Sequence, residues 1–291
     1  MGKHCLAVRE DMSFLITINR DKKFVLLPFV FCPEEACMLD LLLTNARIVD
    51  GTGNPWRWGC VGIRDGHIVA VGSAHDMPES EKHIDCGGNI LCPGFIDSHS
   101  HSDLRILDEP LALPKIMQGV TTENLGLDSM SMAPISDANK KAWSTAISGL
   151  DGVTQKPWNW NSFASYLDAL DAAAPSVNLS SYVGLGTVRL DVMGMDDRPP
   201  TPDELRRMEE SIATCMEEGA RGISAGLIYT PNKYQSTDEL IALAKVAARY
   251  DGIFDVHMRN EADHMTEALD EVIHIGRETG IRILVTHFKL R

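Results

Sequence analysis

Positive charge is scarce in this 291-residue sequence: 27 lysines and arginines face 41 aspartates and glutamates, for a formal net charge of −14. An acidic surface repels phosphate backbones and anionic lipid, which argues against nucleic acid or membrane as partners. Long apolar runs are also missing. The run Phe24 to Phe31 is interrupted by Pro28, whereas a membrane span needs roughly 18 or more consecutive apolar residues. The seven cysteines are odd in number and form no Cys-x-x-Cys pair. That favours free thiols in a reducing, cytoplasmic setting over a disulfide framework. No Gly-x-Gly-x-x-Gly turn is present to cradle a dinucleotide.

What is present has an order. Residues 1–37 are expected to be an extension without a catalytic part. From 38 to 91 the chain reads as short strands and turns: Leu39–Thr44, Ala46–Asp50, Gly59–Arg64, the hairpin signal Asp65-Gly66, His67–Val71, and short pieces at His83–Asp85 and Asn89–Leu91. From 92 to 291 the rhythm changes to strand and helix in alternation. Strands are expected at Cys92–Asp97, Gly119–Leu125, Val177–Gly184, Ala220–Gly226, Gly252–His257 and Ile281–His287. Thr201-Pro202-Asp203-Glu204 reads as a capping box opening a helix with Leu205, Met208, Ile212, Cys215 and Met216 on one face. Ser236 opens another, with Leu240, Leu243, Ala244 and Ala247 on its apolar face. Repeated β-α units imply a parallel sheet with helices outside, open or closed as a barrel.

The polar residues choose between these. His99 and His101 follow the first of those strands, Asp128 follows the second, and His257 and His287 end the fifth and sixth. Side chains gathered from several strand ends are the arrangement of a (β/α)8 barrel site. In an extended His-x-His both rings point the same way and can reach one metal. Neutral imidazole suits zinc and its transition-series neighbours. His67, His75 and His83 belong to the β-rich module, His264 and His274 lie ten apart on a helix, and His4 is in the extension. Trp143, Trp158 and Trp160 are read as packing aromatics, and Met130 and Met132 as core or pocket lining.

These segments resemble the amidohydrolase superfamily, and within it the D-aminoacylase (N-acyl-D-amino-acid deacylase) family, from about Leu39 onward. The marks are the Asn45–Gly53 segment, Pro93-Gly94-Phe95-Ile96-Asp97-Ser98-His99-Ser100-His101-Ser102-Asp103, and Gln118–Glu123. Gly226-Leu227-Ile228-Tyr229-Thr230-Pro231, His257-Met258-Arg259-Asn260-Glu261 and Thr286-His287-Phe288-Lys289 complete them. The resemblance implies a (β/α)8 TIM-type barrel, here with about six strands, beside a small N-terminal β-sandwich module. It further implies one or two Zn2+ ions and hydrolysis of the amide of a small N-acyl-D-amino acid. His99 and His101 would serve an outer metal position and His257 and His287 a tighter one, with Asp128 where the family commonly has a cysteine or glutamate ligand. Tyr229, Lys289 and Arg259 would contact substrate.

Two departures accompany it. Leu185 stands where the family tends to have histidine, and the catalytic aspartate that follows an eighth strand would fall beyond Arg291. On that reading the chain is a fragment, and in this form could be inactive. Two alternatives stay open: a cyclic-amide hydrolase of the dihydropyrimidinase or hydantoinase kind, and a non-catalytic metal-binding remnant. Against the first, the Ala220–Gly226 segment has no lysine to carry a bridging carboxylate. Oligomeric state is left open, a homo-oligomer included.

Overall fold

The computed structural model describes residues 38–289, so the extension at residues 1–37 lies outside the described residues. The described chain divides into two compact units, between Phe95 and Ile96, slightly beyond the 91/92 boundary expected from sequence.

The first unit is one mixed sheet. Strand β1 (Leu39–Ile48) pairs antiparallel with β2 (Arg57–Arg64), which pairs antiparallel with β3 (His67–Gly72). On its other side β1 runs parallel to β4 (Ser80–Asp85) and then to β5 (Ile90–Leu91). Among the described residues the strands of the expected β-sandwich module make one sheet, in the order β3-β2-β1-β4 with β5 also on β1. The two expected runs Leu39–Thr44 and Ala46–Asp50 are one strand with a register shift between Leu43 and Ala46, where Asn45 has φ 53°. A bulge of this kind slips the two-residue alternation, which is why the sequence reads as two pieces. Leu43, Ala46, Ile48, Val61 and Ile63 form its small core.

The second unit is α/β. It begins within β6 (Phe95–Asp97) and continues through α1 (Arg105–Asp108), α2 (Leu113–Ile116), β7 (Val120–Leu125), α3 (Asp137–Ile147) and α4 (Phe163–Ala173). There follow β8 (Asn178–Ser181), β9 (Val183–Gly184), α5 (Leu185–Met193), α6 (Pro202–Glu217), β10 (Gly222–Gly226), α7 (Thr237–Arg249), β11 (Ile253–His257), α8 (Met265–Thr279) and β12 (Arg282–Thr286). The strands fall into two sets, ordered β6-β7-β8 and β9-β10-β11-β12. The ladders β7·β8, β9·β10, β10·β11 and β11·β12 are all parallel. The single strand expected over 177–184 is two. β8 pairs with β7 and β9 with β10, so the chain changes partners at the buried Tyr182.

The helices form for local reasons. The Thr201 hydroxyl accepts from the Glu204 amide at 3.3 Å and the Glu204 carboxylate accepts from the Thr201 amide at 2.7 Å, closing the capping box of α6. Met208, Ile212, Cys215 and Met216 are then buried together. Ser236 caps α7 through the Glu239 amide, and Leu240, Leu243, Ala244 and Ala247 are buried. No helix among the described residues is long and apolar enough to cross a membrane.

One polar chain runs through this core. Arg189 of α5 is fully buried and donates to both oxygens of Glu239 at 2.7 and 3.0 Å. Gln235 donates to Glu239 at 2.7 Å, Asn232 donates to Gln235, and Asn232 accepts from the Gly226 amide at 2.7 Å. The ion pair is thereby wired to the C-terminal end of β10 and to the loop that carries Tyr229. Breaking a buried pair strands its charge. Glu239→Ala should lower stability by about 3–5 kcal/mol in urea unfolding, against about 1 kcal/mol for the cap variant Thr201→Ala; equal losses would contradict this description.

Candidate metal centre

Residues at or just past the C-terminal ends of β6, β7, β11 and β12 converge although up to 188 positions separate them (His99 to His287). Asp128 stands at the centre. Its Oδ2 lies 3.5 Å from Nε2 of each of His99, His101 and His287, and its Oδ1 lies 3.4 Å from Nδ1 of His257. The His99 ring centroid is 5.1 Å from that of His101 and 4.4 Å from that of His287, with His257 and His287 4.7 Å apart. All five expected ligands are brought together, and they line a cavity of about 220 Å³ with Leu150, Tyr229 and Lys289.

Close backbone approach makes this possible. A Cβ on Gly226 would stand 2.5 Å from the Asp128 carbonyl oxygen, and one on Gly184 would stand 2.2 Å from that of Ser129. Asp128 and Ser129 are left-handed, with φ 50° and 73°, a strained pair of the kind found at functional sites. The segment beyond them is clamped by two buried tryptophans. Trp143 donates to the Ser131 carbonyl and Trp160 to that of Met132, each at 2.9 Å. The tryptophans and the buried Met130 and Met132 are thus packing residues, as their sequence context suggested.

The polar atoms have chemistry left to do. Among the described residues, both ring nitrogens of His99 and of His257, and Oδ1 of Asp128, are buried without a hydrogen-bond partner. Leaving such atoms unsatisfied is costly, and native proteins seldom do so. His99, Asp128 and His287 each offer a ligand atom within 4.8 Å of the others. A mixed nitrogen and carboxylate set of this kind fits a divalent transition metal.

A ring of acids stands behind these five. Asp151 Oδ1 lies 3.2 Å from Nδ1 of His101, turning Nε2 of that ring toward Asp128. Glu261 Oε1 lies 3.4 Å from Nε2 of His257 and accepts from Lys289 Nζ at 2.8 Å. Asp103 accepts from the Gly126 amide at 2.8 Å. Asp255 is fully buried on β11, with neither carboxylate oxygen partnered among the described residues. Burial, then the charge of Asp128, pushes its pKa up to about 8. Burial likewise raises Asp151, and raises Asp103 further with Asp151 beside it. For Asp128 burial acts in the same direction, but His101, His257 and His99 outweigh it and hold its carboxyl well below the usual range. For His101 burial opposes the imidazolium, yet Asp128 and Asp151 raise its pKa to about 10.

Not every expected site residue is here. Arg259 does not line the cavity. β11 ends at His257, and the guanidinium turns away to Glu271 at 3.0 Å and to the carbonyls of Lys233 and Gln235 at 2.9 Å. Leu185, fully buried, begins α5. His67, His75 and His83 lie in the first unit, His264 immediately precedes α8 and the exposed His274 lies on it. Asp151 and Asp255 were not anticipated. Asp255 had a signal, since a residue two before His257 on a strand shares its face; Asp151, in a loop fifty residues from its partner, had none.

The chain belongs to the amidohydrolase family, whose pattern matches residues 82–285. It is 36% identical over 252 residues to D-aminoacylase from Alcaligenes xylosoxydans xylosoxydans, covering 86% of this chain and 51% of that one. A crystal structure of D-aminoacylase superposes with a TM-score of 0.78 at 36% identity, over 87% of this chain and 52% of the other. The N-acyl-D-glutamate deacylase of Bordetella bronchiseptica, solved with zinc and a phosphonate that mimics the tetrahedral intermediate, gives 0.73 at 35% identity, over 84% and 50%. The chain therefore spans about half the length of these relatives.

The raised pKa of His101 has a measurable consequence. A folded-state value of about 10 against an ordinary 6.5 gives a stability contribution fully present below pH 6.5 and lost as pH rises through 10. In chelator-treated protein at pH 8, the His101 ring should remain imidazolium by its NMR chemical shifts. A neutral ring there would mean that Asp128 and Asp151 do not hold it as described.

Proposed function

We propose that this chain carries the metal site of a Zn2+-dependent deacylase that hydrolyses the amide bond of small N-acyl-D-amino acids, built on the strand ends of a (β/α)8 barrel. The observation that carries the reading is the Asp128 carboxylate set among four imidazoles, with buried nitrogens of His99 and His257 left without hydrogen-bond partners among the described residues. The activities named for the relatives support it, as does the run of parallel ladders from β9 to β12. Among the described residues Cys60, Cys86, Cys92 and Cys215 form no disulfide, in keeping with a cytoplasmic setting. The absence of lysine from β10 disfavours the cyclic-amide alternative.

His99, His101, Asp128, His257 and His287 would hold one or two ions. A divalent ion there supplies Lewis acidity to the amide carbonyl and makes water acidic enough to attack near neutral pH. The chain's own groups bind and orient. Asp151 keeps the Nδ1 side of His101 engaged, so that Nε2 faces the cavity. Lys289, anchored to Glu261 at the cavity wall, attracts the α-carboxylate of the substrate. The Tyr229 phenol, its ring 5.5 Å from that of His257, serves the carbonyl oxygen as negative charge grows there. Leu150 offers the acyl chain an apolar wall.

In the whole protein, N-acetyl-D-amino acids should release free amino acid while their L-enantiomers do not. Chelation should abolish the reaction and added Zn2+ restore it. Full turnover after metal removal, or preferential opening of hydantoin or dihydrouracil, would contradict the reading.

A further inference from the structure

Ser100 sits between the two histidines, and its side chain joins a second polar cluster made of other residues. Its hydroxyl donates to Oε2 of Glu123 at 2.7 Å and accepts from Nζ of Lys115 at 3.0 Å. Lys115, on α2, also donates to Oδ2 of Asp97 at 2.6 Å and lies 3.4 Å from Glu123 Oε2. The other oxygen of Asp97 accepts from the backbone amide of His99 at 3.1 Å. The Ser100 amide donates to the carbonyl of Asn124, next to Glu123 on β7, at 3.2 Å. Glu123 is fully buried and Ser100 nearly so.

The arrangement has a direction. The Ser100 hydroxyl meets Glu123 and Lys115 while the imidazoles on either side of it meet Asp128, so whatever holds Ser100 bears on the course of both rings. A buried carboxylate needs a counter-charge, and Lys115 supplies one to Glu123 while reaching Asp97, which grips the backbone of the first histidine. Neither histidine side chain takes part. The cluster uses the serine, the strand before it and the neighbouring strand.

We propose that Lys115 is a positioning residue: through Asp97, Ser100 and Glu123 it fixes the course of His99-Ser100-His101 so that both rings meet Asp128. The inference rests on the reading of His99 and His101 as metal ligands. It differs from a purely structural role in one respect, since loss of the cluster changes metal affinity and ligand geometry and not only stability.

The test uses the 291-residue chain with Zn2+ in competition with a chromophoric chelator, and with Co2+, whose visible bands follow ligand geometry. Lys115→Met and Ser100→Ala should each weaken Zn2+ binding by about 10–100-fold, the usual range for groups that orient metal ligands. Both should shift the Co2+ spectrum. Lys115→Arg, which keeps the charge, should recover most of the affinity. Thr201→Ala, which lowers stability far from the cluster, should leave affinity unchanged. Wild-type affinity and spectrum in Ser100→Ala and Lys115→Met, or an equal loss in Thr201→Ala, would overturn the proposal. If Lys115→Met does not fold, Ser100→Ala decides, because it removes only a hydroxyl. A wild-type chain that takes up no Zn2+ removes the metal reading, and this inference with it.

Discussion

A carboxylate with 2% of its side chain exposed must be met by positive charge or be driven to its neutral form. Contacts with His101, His257 and His99 hold Asp128 far below the ordinary carboxylate range, whereas burial and the charge of Asp128 push Asp255 up to about 8. That contrast organises the second unit. The left-handed turn after β7 lifts Asp128 into place, the bare faces of Gly184 and Gly226 admit its loop, and Trp143 and Trp160 hold the carbonyls of Ser131 and Met132 just beyond it. Each device makes sense only if the position of one carboxylate matters.

The scaffold serves the same end at longer range. His99 and His101 after β6, Asp128 after β7, His257 at the end of β11 and His287 after β12 share one cavity, and the Arg189–Glu239 pair ties the loop beyond β10 to the core. Arg259, expected from sequence to touch substrate, belongs to this supporting layer through Glu271. Cavity-lining and supporting groups alternate along the chain: His257 lines the cavity, Arg259 braces the loop, and Glu261 lies 3.4 Å from the far nitrogen of His257 while accepting from the amine of Lys289.

Much of the site could be read from sequence for a physical reason. A polar residue closing an apolar strand is out of place unless it works there, and His257, His287 and the His99–His101 pair announce themselves in that way. The capping box at Thr201 and the apolar face of α7 were legible because they are local. Contacts across long separations were not. Nothing near Asp151 points to His101, nothing near Lys115 points to Ser100, and only the folded chain brings them within hydrogen-bonding distance. The change of sheet partner at Tyr182 escaped for a related reason, since the pattern on either side of it looks regular, whereas the bulge at Asn45 showed in the sequence as a break between two runs.

The central claim is that the imidazoles around Asp128 are gathered for a metal rather than for one another. Anomalous diffraction at the zinc edge, from crystals grown with Zn2+, tests it most directly. The account predicts a peak inside the cluster, about 2.0–2.2 Å from imidazole nitrogens and from the Asp128 carboxylate. No peak there, with zinc found only at surface histidines such as His75 or His264, would contradict it.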